Sequence, residues 1–226
     1  MKRTTIISFF LTTVLLSGCS TGGETQSNSI SDSGISGFSV KYNYAHADYR
    51  VYNNAEELIR ESDIVLLGRV RDVSFQMLDS TTGLPPTEEA EERHVDLCTI
   101  YSVEKASAYK GDVSDVFNIR VRSGVKNDKY LEQQIQVLGD RVSKGITIED
   151  DMPELEIGGL YLFSLGVFEG TDPCLMSPEQ GVMKVNEIND ALVKDEYRLI
   201  SAKDIMSYFG EEKWTAFESG NYLETR

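Results

Sequence analysis

Residues 64–77 constrain the fold most. Ile64-Val65-Leu66-Leu67 is apolar at every position, and Val70, Val73, Phe75 and Met77 follow among polar residues. Successive side chains of a strand point to opposite faces. A strand apolar on both faces is covered on both, whereas an alternating one leaves one face in solvent. The run therefore starts between two apolar layers and continues at the wall of one. Its alternation slips by one residue between Val70 and Val73. An uncorrected slip would turn every later apolar side chain into water. A bulge or bend over Arg69 to Asp72 is the expected remedy, and Gly68 stands where a bend costs little.

The rest of the chain supplies partners for this strand. A loop with Gly83, Pro85, Pro86, Glu88, Glu89, Glu91 and Glu92 precedes a second long strand. There Val95, Leu97, Thr99, Tyr101 and Val103 share one face, and Asp96, Cys98, Ile100 and Ser102 the other. Tyr109-Lys110-Gly111-Asp112 reads as a turn. Phe117, Ile119 and Val121 alternate with Asn118, Arg120 and Arg122 in a half-buried third strand. Leu160 to Leu165 is apolar on both faces and reads as a central strand. Cys174 to Met176 and Val182 to Val185 offer short strands. Residues 123–157 are the least readable, with a helical turn suggested at Tyr130 to Gln134 and a short strand at Ile135 and Val137.

Helix signals flank these strands. Asn54 with Glu57 has capping-box spacing and opens a short helix that stops at Ser62-Asp63. Ser201 with Asp204 opens another, with Ile200 against Ile205 as a staple, and Gly210 ends it. Glu211 to Phe217 adds a helical turn that places Trp214 on the barrel. The expected fold is mainly β with peripheral helices: a small Greek-key barrel of about five to six strands, with a short N-terminal helix and a C-terminal helix. It forms one domain over 41–226. Across the chain 40% of residues are hydrophobic and 26% charged, which is a globular composition.

The N-terminus has a different character. Lys2 and Arg3 precede Thr4 to Leu16, an uncharged and largely apolar run. Thirteen residues fall short of the ~20 that span a bilayer, so the run reads as a signal-peptide core. It ends in Leu16-Ser17-Gly18-Cys19, which resembles the lipobox of bacterial lipoproteins. The resemblance implies removal of residues 1–18 by cleavage between Gly18 and Cys19, and a diacylglyceryl group on the Cys19 thiol. Two acyl chains anchor stably where one is marginal, at ~0.8 kcal/mol per buried methylene. Ser/Gly/Thr/Asn-rich residues follow, so 19–40 reads as the lipidated cysteine and a flexible tether of about 25 Å root-mean-square span. The expected location is the extracytoplasmic face of a cell membrane.

Short motifs in the domain resemble the netrin and tissue-inhibitor-of-metalloproteinase (NTR-like) modules. These are Ser62-Asp63-Ile64-Val65-Leu66-Leu67-Gly68-Arg69-Val70, then Tyr109-Lys110-Gly111, then Gly158-Gly159-Leu160-Tyr161-Leu162-Phe163. The same pattern is seen in surface lipoproteins of Gram-positive bacteria. The likeness covers residues 54–186 and implies an OB-fold barrel. Inhibitors of that class chelate a protease zinc through a free N-terminal cysteine. The matching Cys19 would be lipidated and a tether away, so no inhibitory residue carries over.

Charge and residue types narrow the function. The chain carries −15, and its first 18 residues hold Lys2, Arg3 and no acid, so the remainder carries −17. That balance argues against nucleic acid as a partner. With Cys19 assigned to lipid, Cys98 and Cys174 are left either as a disulfide or as two half-buried thiols. His46 and His94 lack zinc-ligand spacing. Glu88-Glu89-Glu91-Glu92 and Glu149-Asp150-Asp151 lack the EF-hand order and read as solvated loops. No cofactor, metal site or catalytic set is expected. The reading is a membrane-anchored, non-catalytic module that binds a protein, peptide or glycan. The alternative is an envelope-acting enzyme or calcium-dependent protein whose site is built by residues 123–157 and the acidic loop 79–92.

Overall fold

The computed structural model describes residues 40–185 and 200–219. Gly18, Cys19 and the tether up to residue 39 lie outside the described residues. In chain order the elements are β1 (Tyr42–Ala45), α1 (Ala55–Glu61), β2 (Ile64–Asp79), β3 (Val95–Lys110), β4 (Val116–Val121) and α2 (Asp128–Leu138). They continue with β5 (Ile146–Glu149), β6 (Leu160–Gly166), β7 (Cys174–Leu175), β8 (Val182–Lys184), α3 (Ala202–Tyr208) and α4 (Glu211–Glu218). Among the described residues, no helix is long and apolar enough to cross a membrane.

Five strands close a mixed barrel. β2 pairs antiparallel with β3 along its length and with β6 over Ile64–Arg69. β3 pairs antiparallel with β4, β4 parallel with β7, and β7 antiparallel with β6. β8 adds to β6 beside β7. Read around the barrel, the order β2-β3-β4-β7-β6 with a helix between its third and fourth strands is that of an OB-like barrel. β1 and β5 form a separate parallel pair.

The two faces of β2 explain its sequence. Ile64, Leu66 and Val70 point into the barrel, and the β2–β3 register shifts between Val70 and Asp72. After the shift Val73 and Phe75 point inward, so the extra residue cancels the phase slip. Gly68 also meets a space limit: a Cβ there would lie 2.5 Å from Val103 Cγ1. Val65 and Leu67 point outward. With Leu160 and Leu162 of β6 they pack under Leu58 and Ile59 of α1, Ile205 and Met206 of α3 and Phe217 of α4. The first half of β2 is thus sandwiched, as its unbroken apolar run requires.

The family-like motifs do structural work. Lys110 Nζ donates to the carbonyls of Ile59 at 2.7 Å, Arg60 at 3.1 Å and Ser62 at 2.5 Å, and so caps the C-terminus of α1. Tyr109 stacks on Phe209 at 5.6 Å. Gly111 has φ +73°, and a Cβ there would lie 2.4 Å from the Asp63 carbonyl oxygen. Asp63 accepts from the Val167 N–H at 2.8 Å. Gly158 and Gly159 lock onto the bulge of β2: Gly158 N–H donates to Val70 O at 2.8 Å, and Val70 N–H to Gly159 O at 3.0 Å.

The segment 123–157 departs from its sequence reading. Ile135 and Val137 lie in α2, not in a strand. Asn127 caps this helix by accepting from Lys129 N–H at 3.1 Å. Tyr130, Gln134 and Leu138, four residues apart, form its buried stripe. The capping features read at the other helices hold in part. Asn54 accepts from Glu57 N–H at 2.8 Å, but Glu57 returns to Asn53. Ser201 and Asp204 make the full reciprocal box.

Candidate functional site

The site begins where β4 ends. Past Val121 the chain runs beside β5, and Gly124 N–H donates to Thr147 O at 2.9 Å. Thr99 on the inner face of β3 donates its hydroxyl to Ser123 O at 2.6 Å. Gln134 of α2, fully buried, bonds both ways with Val125: its Oε1 accepts from Val125 N–H and its Nε2 donates to Val125 O, each at 2.9 Å. A Cβ on Gly124 would lie 2.4 Å from Ile146 and 2.6 Å from Gln134, so this stretch has one position. Opposite it, Met152 N–H closes a turn on Glu149 O at 3.1 Å, and Leu155 N–H donates to the Tyr101 hydroxyl at 3.3 Å.

Between these walls lies a cleft of about 120 Å³, lined by Val121, Ser123, Val125, Ile148, Glu149, Met152 and neighbours. Glu149 is its chemical feature. Only 7% of the residue is exposed. Its N–H donates to Ser123 Oγ at 2.9 Å, and its carboxylate takes a hydrogen bond from the Tyr49 hydroxyl. Among the described residues its buried Oε2 has no partner. A buried polar atom left unpaired costs about 1–3 kcal/mol, and more if charged. Burial pushes the Glu149 carboxyl above the usual glutamate range; the Tyr49 bond and Arg122 pull it down, while Asp151 and Asp96 push it up. Burial, then the Glu149 carboxylate, raises the Tyr49 phenol in turn.

A second depression of about 200 Å³ adjoins, lined by His46, Tyr49, Val51, Asp151, Ser177 and Glu179 among others. His46 Nδ1 lies 2.8 Å from Asp151. Tyr49 borders this depression and reaches Glu149 of the first. Gln180 holds the segment in place: its Oε1 accepts from Tyr52 N–H at 2.8 Å and its Nε2 donates to Tyr52 O at 3.0 Å.

The sequence read Glu149-Asp150-Asp151 as one solvated cluster, and the structure divides it. Asp150 is exposed, Asp151 half-buried and Glu149 buried. Glu88, Glu89, Glu91 and Glu92 are exposed, and Glu92 pairs with Lys144. Among the described residues, no three of His, Cys, Asp and Glu gather as a metal group would require.

Cys98 and Cys174 do not form the bridge considered for them: both are free thiols. Strand β4 runs between β3 and β7, and Cys174 is level with Ile100, so the two cysteines are at least two strand spacings, ~9.5 Å, apart. A disulfide needs Cα atoms within about 7 Å. Burial raises the Cys98 thiol to about 11. It raises Cys174 as well, against the pull of Arg120.

The outer face of β3 and β4, where OB barrels commonly bind, is partly filled by the chain itself. Leu78, Cys98 and Ile100 form a small buried cluster there, and Gly83 sits against the Arg120 guanidinium. No family model matches this chain, and a search of curated proteins finds no match to it.

Proposed function

We propose that this protein is an extracytoplasmic lipoprotein, held to a membrane through Cys19, whose barrel binds a ligand or partner at the Glu149 cleft. The observation that carries the binding reading is the unpaired Oε2 of Glu149. The local structure satisfies the neighbouring polar groups of Ser123, Thr99 and Gln134 and leaves one buried acceptor on a cleft lining. A buried acceptor without a partner is rare in folded proteins, and a bound donor would supply one. The lipobox-like Leu16-Ser17-Gly18-Cys19 supports the anchor.

Two measurements test the reading. Cys19→Ser is expected to move the protein from the membrane fraction to the soluble one; persistence on membranes refutes the lipid anchor. A photo-cross-linker at Met152, beside the cleft, is expected to give a defined adduct on intact cells. One at Val116, at the far end of β4, is expected to give none. Equal adducts, or none at either position, refute binding at the cleft.

One observation favours a second reading. The raised carboxyl of Glu149 suits a general acid in an envelope-acting enzyme. Hydrolytic turnover of envelope glycans or peptides by the purified protein, lost in Glu149→Gln, would establish it over simple binding.

A further inference from the structure

We infer that the Glu149 cleft takes an alkylammonium group, the chemistry of a lysine side-chain end or a free primary amine. The inference rests on the barrel being a binding module and names what that module binds.

Three observations converge on this group. The first is a buried acceptor. Among the described residues Glu149 Oε2 has no partner, and an ionised carboxylate only accepts, so a group that pairs with it is a hydrogen-bond donor.

The second is charge. Two acids line the cleft, Glu149 and Glu154, and neither is in an ion pair among the described residues. Glu154 accepts only from the neutral Asn127 amide, at 2.7 Å. Two cations lie close by, and one of them, Lys126, lines the cleft itself. Arg122 Nε lies 2.8 Å from Asp96. Lys126 Nζ donates to the Tyr44 hydroxyl at 2.6 Å and sits over the rings of Tyr42 and Tyr44. With two acids against one lysine the lining carries a net negative charge, and a cationic donor answers both the acceptor and the charge.

The third is shape. About 120 Å³ is the space of some four waters at ~30 Å³ each. Val121, Val125, Ile148 and Met152 give the cleft apolar walls that suit a short methylene stem. An ammonium is preferred over a guanidinium for a geometric reason. A guanidinium binds a carboxylate best through both oxygens, in a fork. The Tyr49 hydroxyl already bonds to this carboxylate, which leaves Oε2 for a compact point charge.

The test is a backbone-amide chemical-shift titration of the full, detergent-solubilised protein. The probes are butylammonium, 1-butanol, butylguanidinium and Nα-acetyl-lysine amide. Butylammonium is expected to shift the amides of Ser123, Gly124 and Glu149 saturably, with 1-butanol and butylguanidinium at least tenfold weaker. Glu149→Gln is expected to weaken butylammonium at least tenfold. If Glu149→Gln does not fold, Met152→Trp, which fills the cleft from its rim, replaces it with the same expectation. Equal binding of Nα-acetyl-lysine amide points to a lysine of a protein or peptide partner; binding of butylammonium alone points to a free amine. The inference is overturned if 1-butanol or butylguanidinium binds as well as butylammonium, if neither variant weakens binding, or if no probe shifts these amides. Such a failure leaves the Cys19→Ser and cross-linking outcomes unaffected, so the broader reading is judged separately.

Discussion

Replacing Lys110 with Met tests whether the Tyr109-Lys110-Gly111 motif is structural. Methionine keeps most of the stem and removes the ammonium. Three carbonyls at the end of α1, those of Ile59, Arg60 and Ser62, then lose a shared donor. A cation at a helix C-terminus is worth about 0.3–1 kcal/mol when exposed and up to ~2 kcal/mol when partly buried. A hydrogen bond to a charged group adds about 1.5–3 kcal/mol. The three bonds converge on one ammonium, and part of the carbonyl set is exposed, so they do not add. We expect a loss of about 2–3 kcal/mol. With a urea m-value of roughly 2–3 kcal/mol/M, the midpoint falls by about 1 M. Trp214 is the sole tryptophan, packs on the helical layer and stacks on Phe217 at 5.8 Å, so its fluorescence reports the transition. Lys110→Arg, which keeps the charge but not the compact donor, should fall between wild type and Lys110→Met. A midpoint drop of under about 0.3 M for Lys110→Met would refute the cap.

Other outcomes follow from the same geometry. Glu149 is an acid whose folded pKa is raised, so between the ordinary glutamate value and the raised one the native state holds a proton that the unfolded chain has lost. Its contribution to stability is therefore present below that window and falls as pH rises through it. Urea midpoints of wild type and Glu149→Gln across pH should show the wild type losing ground with rising pH; a constant difference refutes the burial argument. Gly111→Ala forces a left-handed backbone and a 2.4 Å approach to Asp63 O, and should cost about 2 kcal/mol or more by denaturant titration. Intact mass after alkylation in denaturant without reductant should show Cys98 and Cys174 both modified, with Cys98 unreactive in the native state. A bridged species would refute the placement of β4 between them.

The sequence carries the barrel through local patterns and hides the site behind long-range ones. The Val70–Val73 slip was legible because strand period is strict, and the register shift at Val70/Asp72 answers it. The inward set Leu97, Thr99, Tyr101, Val103 was legible for the same reason. β3 continues past Val103 to Lys110 because it follows β2, which no pattern in Glu104 to Ala108 announces. β1 and β5 went unread, since four-residue strands that pair across a hundred residues carry little periodic signal. Glu149 was read with its acidic neighbours as solvated. Its partners include residues far off in sequence, such as Tyr49, which hydrogen-bonds it from a hundred positions away. The Tyr109-Lys110-Gly111 and Gly158-Gly159 motifs have structural roles: a helix cap, a left-handed turn and a glycine pair on a bulge.

Gln134 and Gln180 carry a consequence for how variation in this protein should be interpreted. Each presents a primary amide to one residue's N–H and C=O, and so acts as a one-residue surrogate for a missing neighbouring strand. Only a side chain that both donates and accepts in one plane can do this, and a glutamate in its place would lose the donor. Both positions would tolerate little change while touching no ligand. Gln134 backs the cleft wall at Val125 and Gln180 backs the segment that brings Tyr49 to Glu149. Intolerance at these two glutamines is thus a signature of architecture next to the cleft, whereas intolerance at Glu149 is what the proposed binding role predicts.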